Sequence, residues 1–439
     1  MTATRPAPAV DGTPPVAPNL VRAPEVPGAR RVGRNTLETL LFRGLSTPIA
    51  LLLVVIQSRF LAPEGRGTFV LVVLSVTILS RLLGQLGTAV VNRMREPGTE
   101  VRTLVHRAFA LAAVLGGAGA ALVVGWGAVT GGVGAGLAGI AAAALIPNVV
   151  WQTVSGVLLG LARVRLWNYV QALSPLLTLV GMLVLVVWLD GGVGAALAAW
   201  AGAHFVTAAF ALVTTRVIWH PASVPRLADE HARTLARLAL VMGAVQVVNL
   251  ISYRVELFVL ERFEGLDDVG VYSIAMQAAE ALWLIPAAIA TAVTAPAVHD
   301  TEPEARRLIA RSALRGLLYC GAAAGVVGLA GPFLIPLLFG EDFSGAATPL
   351  ALLLPGVVVY GPVTILVVYL SVRHGRPRLS LAVSVAAMVV TIVAAFALIP
   401  PFGASGAAVA STIGYAAGAA LAWAFFARLG RARAAVTPR

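Results

Sequence analysis

Residues 249–272 read NLISYRVELFVLERFEGLDDVGVY, and this stretch decides what kind of chain it belongs to. It opens as an apolar run able to enter a bilayer, yet it carries Arg254 and Glu256, with Gln246, Asn249 and Tyr253 a turn or two earlier. A charge at membrane depth costs about 2.5–3.5 kcal/mol even on lenient insertion scales, and such residues face water, substrate or one another rather than lipid. The rest of the chain has the same character. It is 59% hydrophobic and 12% charged, with a mean hydropathy of +0.88. Soluble domains carry about 25% charged residues. Repeated apolar runs of roughly 20 residues match the thickness of a hydrocarbon core. An all-α polytopic membrane protein follows.

Twelve spans are expected, at about 36–60, 67–92, 104–127, 133–160, 167–189, 192–217, 234–260, 269–297, 308–338, 347–371, 379–399 and 403–427. A disordered cytoplasmic leader, 1–34, precedes an N-terminal six-helix bundle, 35–217. A cytoplasmic linker, 218–233, leads to a C-terminal six-helix bundle, 234–428, and a cytoplasmic tail, 429–439. Arginine sets the orientation. With the N-terminus inside, inner segments gather Arg163, Arg165, Arg306, Arg307, Arg373 and Arg376 among others, whereas the outer turns hold only Arg59, Arg66 and Arg262. This places both termini in the cytoplasm. The net charge of +12 is explained by the positive-inside rule, so no nucleic acid is expected. The single cysteine, Cys320, excludes an intrachain disulfide.

The chain repeats. Arg59-Phe60, a short turn and Gly67-Thr68-Phe69 recur as Arg262-Phe263, an acidic turn and Gly270-Val271-Tyr272, at one offset of 203 residues. Gly191-Gly192-Val193-Gly194-Ala195-Ala196 recurs as Gly403-Ala404-Ser405-Gly406-Ala407-Ala408, at an offset of 212. Six spans per half makes the repeat parallel, with an axis along the membrane normal and substrate expected at the interface between halves. The pattern from Tyr253 to Leu260, the acidic turn and Gly270-Val271-Tyr272-Ser273-Ile274-Ala275 resembles the junction of the seventh and eighth helices in polysaccharide and oligosaccharide-lipid flippases. The segment from Arg59 to Phe69 is similar to the opening of the same family, which belongs to the multidrug/oligosaccharidyl-lipid/polysaccharide (MOP) exporter superfamily. The resemblance implies two six-helix bundles around a central V-shaped cavity, and alternating access for undecaprenyl-diphosphate-linked glycans. It also implies that cavity arginines hold the diphosphate.

Polar stripes at helical spacing mark the spans that open each half. Arg43 lies on span 1. Arg81, Gln85, Thr88 and Asn92 recur along span 2. Gln246, Asn249, Tyr253 and Glu256 share a face of span 7, with Arg254 at its edge, and Ser273, Gln277 and Glu280 share a face of span 8. A guanidinium stays charged and grips phosphate oxygens in pairs, so Arg43, Arg81, Gln85, Asn249, Tyr253 and Arg254 are the expected substrate contacts. Glu256 and Glu280 are either counter-ions of these arginines or carboxylates that couple transport to a proton or sodium ion. Asn148, Gln152, Asn168, Gln171 and Tyr360 are candidates for a sugar path or for hydrogen bonds between helices. His204, alone on its face, reads as a buried, hydrogen-bonded residue.

No P-loop, metal-ligand cluster or nucleophile motif occurs, so neither enzymatic activity nor a cofactor or metal is expected. The leading expectation is a flippase for a lipid-diphosphate-linked oligosaccharide in the cytoplasmic membrane. Its surroundings would be membrane lipids and the glycosyltransferases or polymerase of the same pathway. Two alternatives stand beside it. A cation or drug antiporter of the same superfamily would call for an acidic cavity with few arginines. The other is a non-transporting component of an envelope-glycan assembly complex.

Overall fold

The computed structural model describes residues 29–94, 100–130, 135–219 and 230–434, with side chains over 47–94, 100–125, 136–216, 218 and 230–429. Most of the expected leader, linker and tail lies outside the described residues. Every described element is helical, as lipid demands, since only a helix satisfies its backbone within one segment or a closed barrel between strands. In chain order the helices are α1 (Ala29–Leu83), α2 (Leu86–Arg93), α3 (Val101–Thr130), α4 (Ala135–Gly160), α5 (Val164–Met182), α6 (Gly192–Thr214) and the short α7 (Arg216–Trp219). The second half holds α8 (Glu230–Ile251), α9 (Val255–Glu264), α10 (Leu266–Glu280), α11 (Leu284–His299), α12 (Glu302–Phe339), α13 (Ala347–Val367) and α14 (Pro377–Ala434). Among the described residues, ten runs are long and apolar enough to cross a membrane.

Two of those runs double back. In α1 the backbone leaves the helix at Ala62, with φ 55° and ψ 174°. Beyond it, Arg66 Nη1 donates to Gln57 Oε1 at 3.0 Å and to the Val54 carbonyl at 3.4 Å. Twelve residues on a straight helix are about 18 Å apart, so the chain must reverse at Ala62. In α14 the break is Gly403, with φ 54°. Past it, Gly414 lies against Thr391 and Ala387, and Gly418 against Ala387 and Val383. These pairs centre on residues 400–403 and describe an antiparallel hairpin. A third interruption falls inside the expected span 7. Helix α8 ends at Ile251 and α9 begins at Val255, leaving Ser252, Tyr253 and Arg254 in turn geometry.

Two buried apolar clusters form. One gathers residues from Ile56 to Ala239, including Leu86, Val105, Leu145, Leu158 and Leu197. The other runs from Leu257 to Phe426, through Tyr272, Ile309, Leu353 and Tyr415, and also takes in Leu71 and Leu74. Ala232, Leu235 and Ala239 of α8 belong to the first cluster, so each half lends a helix to the other's core.

The 203-residue repeat appears as a reciprocal contact. A Cβ on Gly67 would lie 1.9 Å from the Leu266 carbonyl oxygen, and one on Gly270 would lie 2.0 Å from the Pro63 carbonyl oxygen. Residues 63 and 266, and 67 and 270, are the same positions of the repeat, so each partner contacts the other's equivalent, as across a two-fold axis. Only glycine lets the backbones approach so closely. The turn residues match too: Ala62 and Gly265 are 203 apart, and both hold positive φ with ψ near 180°.

Candidate functional site

The first-half cavity, of about 330 Å³, is lined by α1, α2, α4, α5 and α6. The local breaks in the chain build it. Helix α1 stops at Leu83 and α2 starts at Leu86. Gly87 then sits so close to α4 that a Cβ would come within 2.2 Å of the Thr153 carbonyl oxygen. This draws Arg81, Gln85 and Thr88 over Asn148, Trp151, Gln152 and Ser155, with Trp167 and Gln171 from α5 and Trp200 and His204 from α6 completing the wall. The amides are partly engaged: Gln152 Nε2 donates to Asn148 Oδ1 at 2.5 Å, and Ser155 Oγ to Gln171 Oε1 at 3.4 Å. His204 Nδ1 lies 2.8 Å from the Trp200 carbonyl oxygen, and its ring lies between Trp200 and Trp151, with centroids at 4.6 and 6.2 Å. Trp151 Nε1 is buried and has no hydrogen-bond partner among the described residues. Arg81 is exposed at this cavity.

The second half is arranged differently. A cavity of about 430 Å³ is lined by Asn249, Tyr253, Tyr360 and Thr364, with Ser371, Ser380 and Ser384 and several valines, and carries no charged side chain. Behind Tyr253 and Tyr360 stand Trp283 and Tyr415. All six pairs of these four rings are in contact, with centroids 5.2–6.2 Å apart. Arg254 turns away from this space. Its Nη1 and Nη2 meet the two Glu280 oxygens at 2.6 and 2.7 Å, and Nη1 also donates to the Tyr253 carbonyl at 2.8 Å. This paired geometry is the strong form of a charged hydrogen bond. Glu256 is fully buried; Ser411 and the local backbone lie close to it, but neither of its oxygens makes a hydrogen bond of ordinary length and angle among the described residues.

The structure therefore divides the expected contact set. Arg81 and Gln85 come together in the first-half cavity, and Asn249 and Tyr253 in the second-half cavity. Arg254 and Glu280 are bonded to each other. The Arg43 side chain lies outside the described residues. The expected shared face of span 7 is broken: the turn at residues 252–254 rotates Glu256 into the core while Gln246 is exposed. Arg66, expected in an outer turn, is fully buried. The reversal comes at Ala62, four residues earlier, so Arg66 lies one turn into the returning helix. There its Nε donates to Ser273 Oγ at 2.9 Å, joining the two halves. The tryptophans of the first cavity, and Trp283 and Tyr415 of the four-ring cluster, were not singled out in the sequence. Their signal was the i, i+4 placement of Trp151 with Ser155 and of Trp200 with His204, which marks shared helix faces.

The chain is thus a helical bundle with kinked and broken spans, a cavity within each half and a two-fold seam between the halves. Solved structures agree on the fold. An inward-facing multidrug resistance MATE family transporter of the MOP superfamily superposes with a TM-score of 0.73 at 15% identity, covering 90% of this chain and 96% of its own. The lipid II flippase MurJ in an inward closed conformation gives 0.77 at 12% identity, covering 88% of this chain and 87% of its own. A MOP superfamily transporter from Pyrococcus furiosus gives 0.64 at 16% identity, covering 91% and 95%. No curated protein matches the chain in sequence. The model of the polysaccharide biosynthesis protein family matches residues 32–302, more than half of the 439 residues. The chain belongs to that family.

Proposed function

We propose that the protein is a flippase that carries a lipid-diphosphate-linked oligosaccharide, an undecaprenyl-diphosphate-linked precursor of envelope polysaccharide, across the cytoplasmic membrane by alternating access. The observation that carries this reading is Arg81: a cation exposed in a cavity of amides, hydroxyls and indoles, in a chain of a polysaccharide biosynthesis family. An anionic head group needs a fixed positive partner to pass through a low-dielectric protein. In this reading the chain crosses the membrane twelve times, the ten apolar runs being divided further at Ala62 and Gly403. Residues 35–217 and 234–428 form the two moving bundles. Both termini lie in the cytoplasm, and the glycosyltransferases or polymerase of the pathway act before and after it. Asn249, Tyr253 and Arg43 are secondary contacts along the path. Arg254 serves substrate only where Glu280 releases it.

Glu256 favours one addition to this scheme. A buried carboxylate without a hydrogen-bond partner is costly, and a proton or sodium ion taken up there would offset that cost, so Glu256 is the proposed coupling group.

The test is transport of an undecaprenyl-diphosphate-linked saccharide in proteoliposomes. Arg81→Ala is expected to abolish flipping while the protein still inserts, and Arg81→Lys to retain part of it, because lysine keeps charge without the bidentate fork. Wild-type protein that leaves the lipid in its original leaflet would overturn the flippase reading.

A further inference from the structure

We infer that the first-half cavity is a saccharide-binding subsite, in which the indoles of Trp151, Trp167 and Trp200 form the stacking walls and Arg81 holds the adjoining phosphate. The inference rests on the flippase reading and adds to it which half grips the sugar, and with what chemistry.

Four observations carry it. The wall contains no carboxylate, so the site is poorly suited to an organic cation, whereas a hydroxyl-rich ring needs neutral groups that both donate and accept. Asn148, Gln152, Gln171 and Ser155 are such groups. Three indoles in one cavity of about 330 Å³ supply flat apolar faces of the kind on which the C–H face of a sugar packs, while polar groups fix orientation. Trp151 Nε1 is buried without an acceptor. A buried donor left unmade is expensive and normally finds a partner, and a sugar oxygen is an acceptor that would satisfy it.

The fourth observation is the asymmetry of the repeat. At the 203-residue offset Ser80 and Arg81 correspond to Trp283 and Leu284. At the 212-residue offset Ala203 corresponds to Tyr415. Pro147 and Pro355, 208 apart, align Gln152 with Tyr360. Two positions that line the first-half cavity, Ser80 and Gln152, thus hold in the second half the packed rings Trp283 and Tyr360, and Ala203, beside the lining residue His204, holds Tyr415. The second-half cavity opens beyond Tyr253 and Tyr360 and carries no charged side chain. The first-half cavity carries a cation, whereas the second-half cavity is displaced beyond the packed rings and lined by neutral side chains.

The experiment measures binding of farnesyl diphosphate and of farnesyl diphosphates bearing N-acetylglucosamine, glucose or galactose to the purified full chain in nanodiscs, by native mass spectrometry. Wild type is expected to bind at least one saccharide probe more tightly than farnesyl diphosphate itself. Trp151→Phe keeps a ring and removes the N–H, and is expected to weaken the preferred saccharide probe about tenfold, the loss of one hydrogen bond, with farnesyl diphosphate unchanged. Gln152→Leu is expected to act in the same direction, and Arg81→Ala to weaken all probes alike. Saccharide preference undiminished in both Trp151→Phe and Gln152→Leu, or absent in wild type, would overturn the subsite while leaving the flippase reading intact. A wild-type protein that binds none of the diphosphates would overturn that reading and the subsite together.

Discussion

Two acidic residues, Glu256 and Glu280, behave in opposite ways, and the difference is one of partnership. Glu280 is held by both terminal nitrogens of Arg254, and the pair is largely shielded, with 23% and 15% of the two side chains exposed. Removing one member of a buried pair leaves an uncompensated charge and typically costs about 3–5 kcal/mol. Glu280→Ala is therefore expected to lower thermal stability in detergent strongly, and the double variant Arg254→Ala/Glu280→Ala to recover most of the loss. A double variant as unstable as the sum of the singles would show that the pair is not a unit. Glu256 has no such partner, so Glu256→Gln is expected to leave stability unchanged or raise it. If Glu256 couples transport, the same substitution makes flipping indifferent to the imposed ion gradient. Unaltered gradient dependence in Glu256→Gln would remove it from the coupling role.

At the scale of elements, turn chemistry was more legible in the sequence than side-chain partnership. The Arg-Phe, turn, Gly pattern at offset 203 pointed to the two hairpins because close backbone approach requires a particular residue, glycine, at 67 and 270. Arg66 was misread because the run LAPEGR looks like a loop throughout, whereas the reversal takes a single residue, Ala62, and helix resumes at once. The cavities were not legible. Periodicity tells which face of a helix is polar, and Arg81, Gln85 and Thr88 do share one, but it does not tell which neighbouring helix that face meets. The span 7 stripe failed because a three-residue break at 252–254 resets the phase of every later position. Ala62 also yields an expectation. Its φ of 55° with ψ of 174° is a region used almost solely by glycine and costs other residues about 1–3 kcal/mol, and its repeat counterpart is Gly265. Ala62→Gly is expected to raise the unfolding temperature. An unchanged or lower value would mean that glycine's greater freedom in the unfolded chain cancels the relief.

For the whole molecule, the seam between halves decides how the cavities can be reached. The end of the seam carrying the Ala62 and Gly265 turns is closed by glycine contacts in both directions, by Arg66 bonded to Ser273 across it, and by Arg59, whose guanidinium donates to the Leu337 and Leu338 carbonyls at the end of α12. If the chain works by alternating access, as proposed, this end must part, because a two-state transporter can release cargo only where its halves separate. A side chain at Gly67 cannot fit against the Leu266 carbonyl, so Gly67→Val is expected to shift the population toward molecules opened at this end. Phe60 and Phe263 are equivalent positions of the repeat, one on each hairpin, and both are exposed. Spin labels placed there, in a Cys320→Ala background, are expected to give one short distance in the unliganded protein. A second, longer distance should appear with a lipid-linked saccharide, and should dominate in Gly67→Val. A single short distance under all three conditions would mean that this seam is a permanent joint, and transport would then have to proceed by motion within a half.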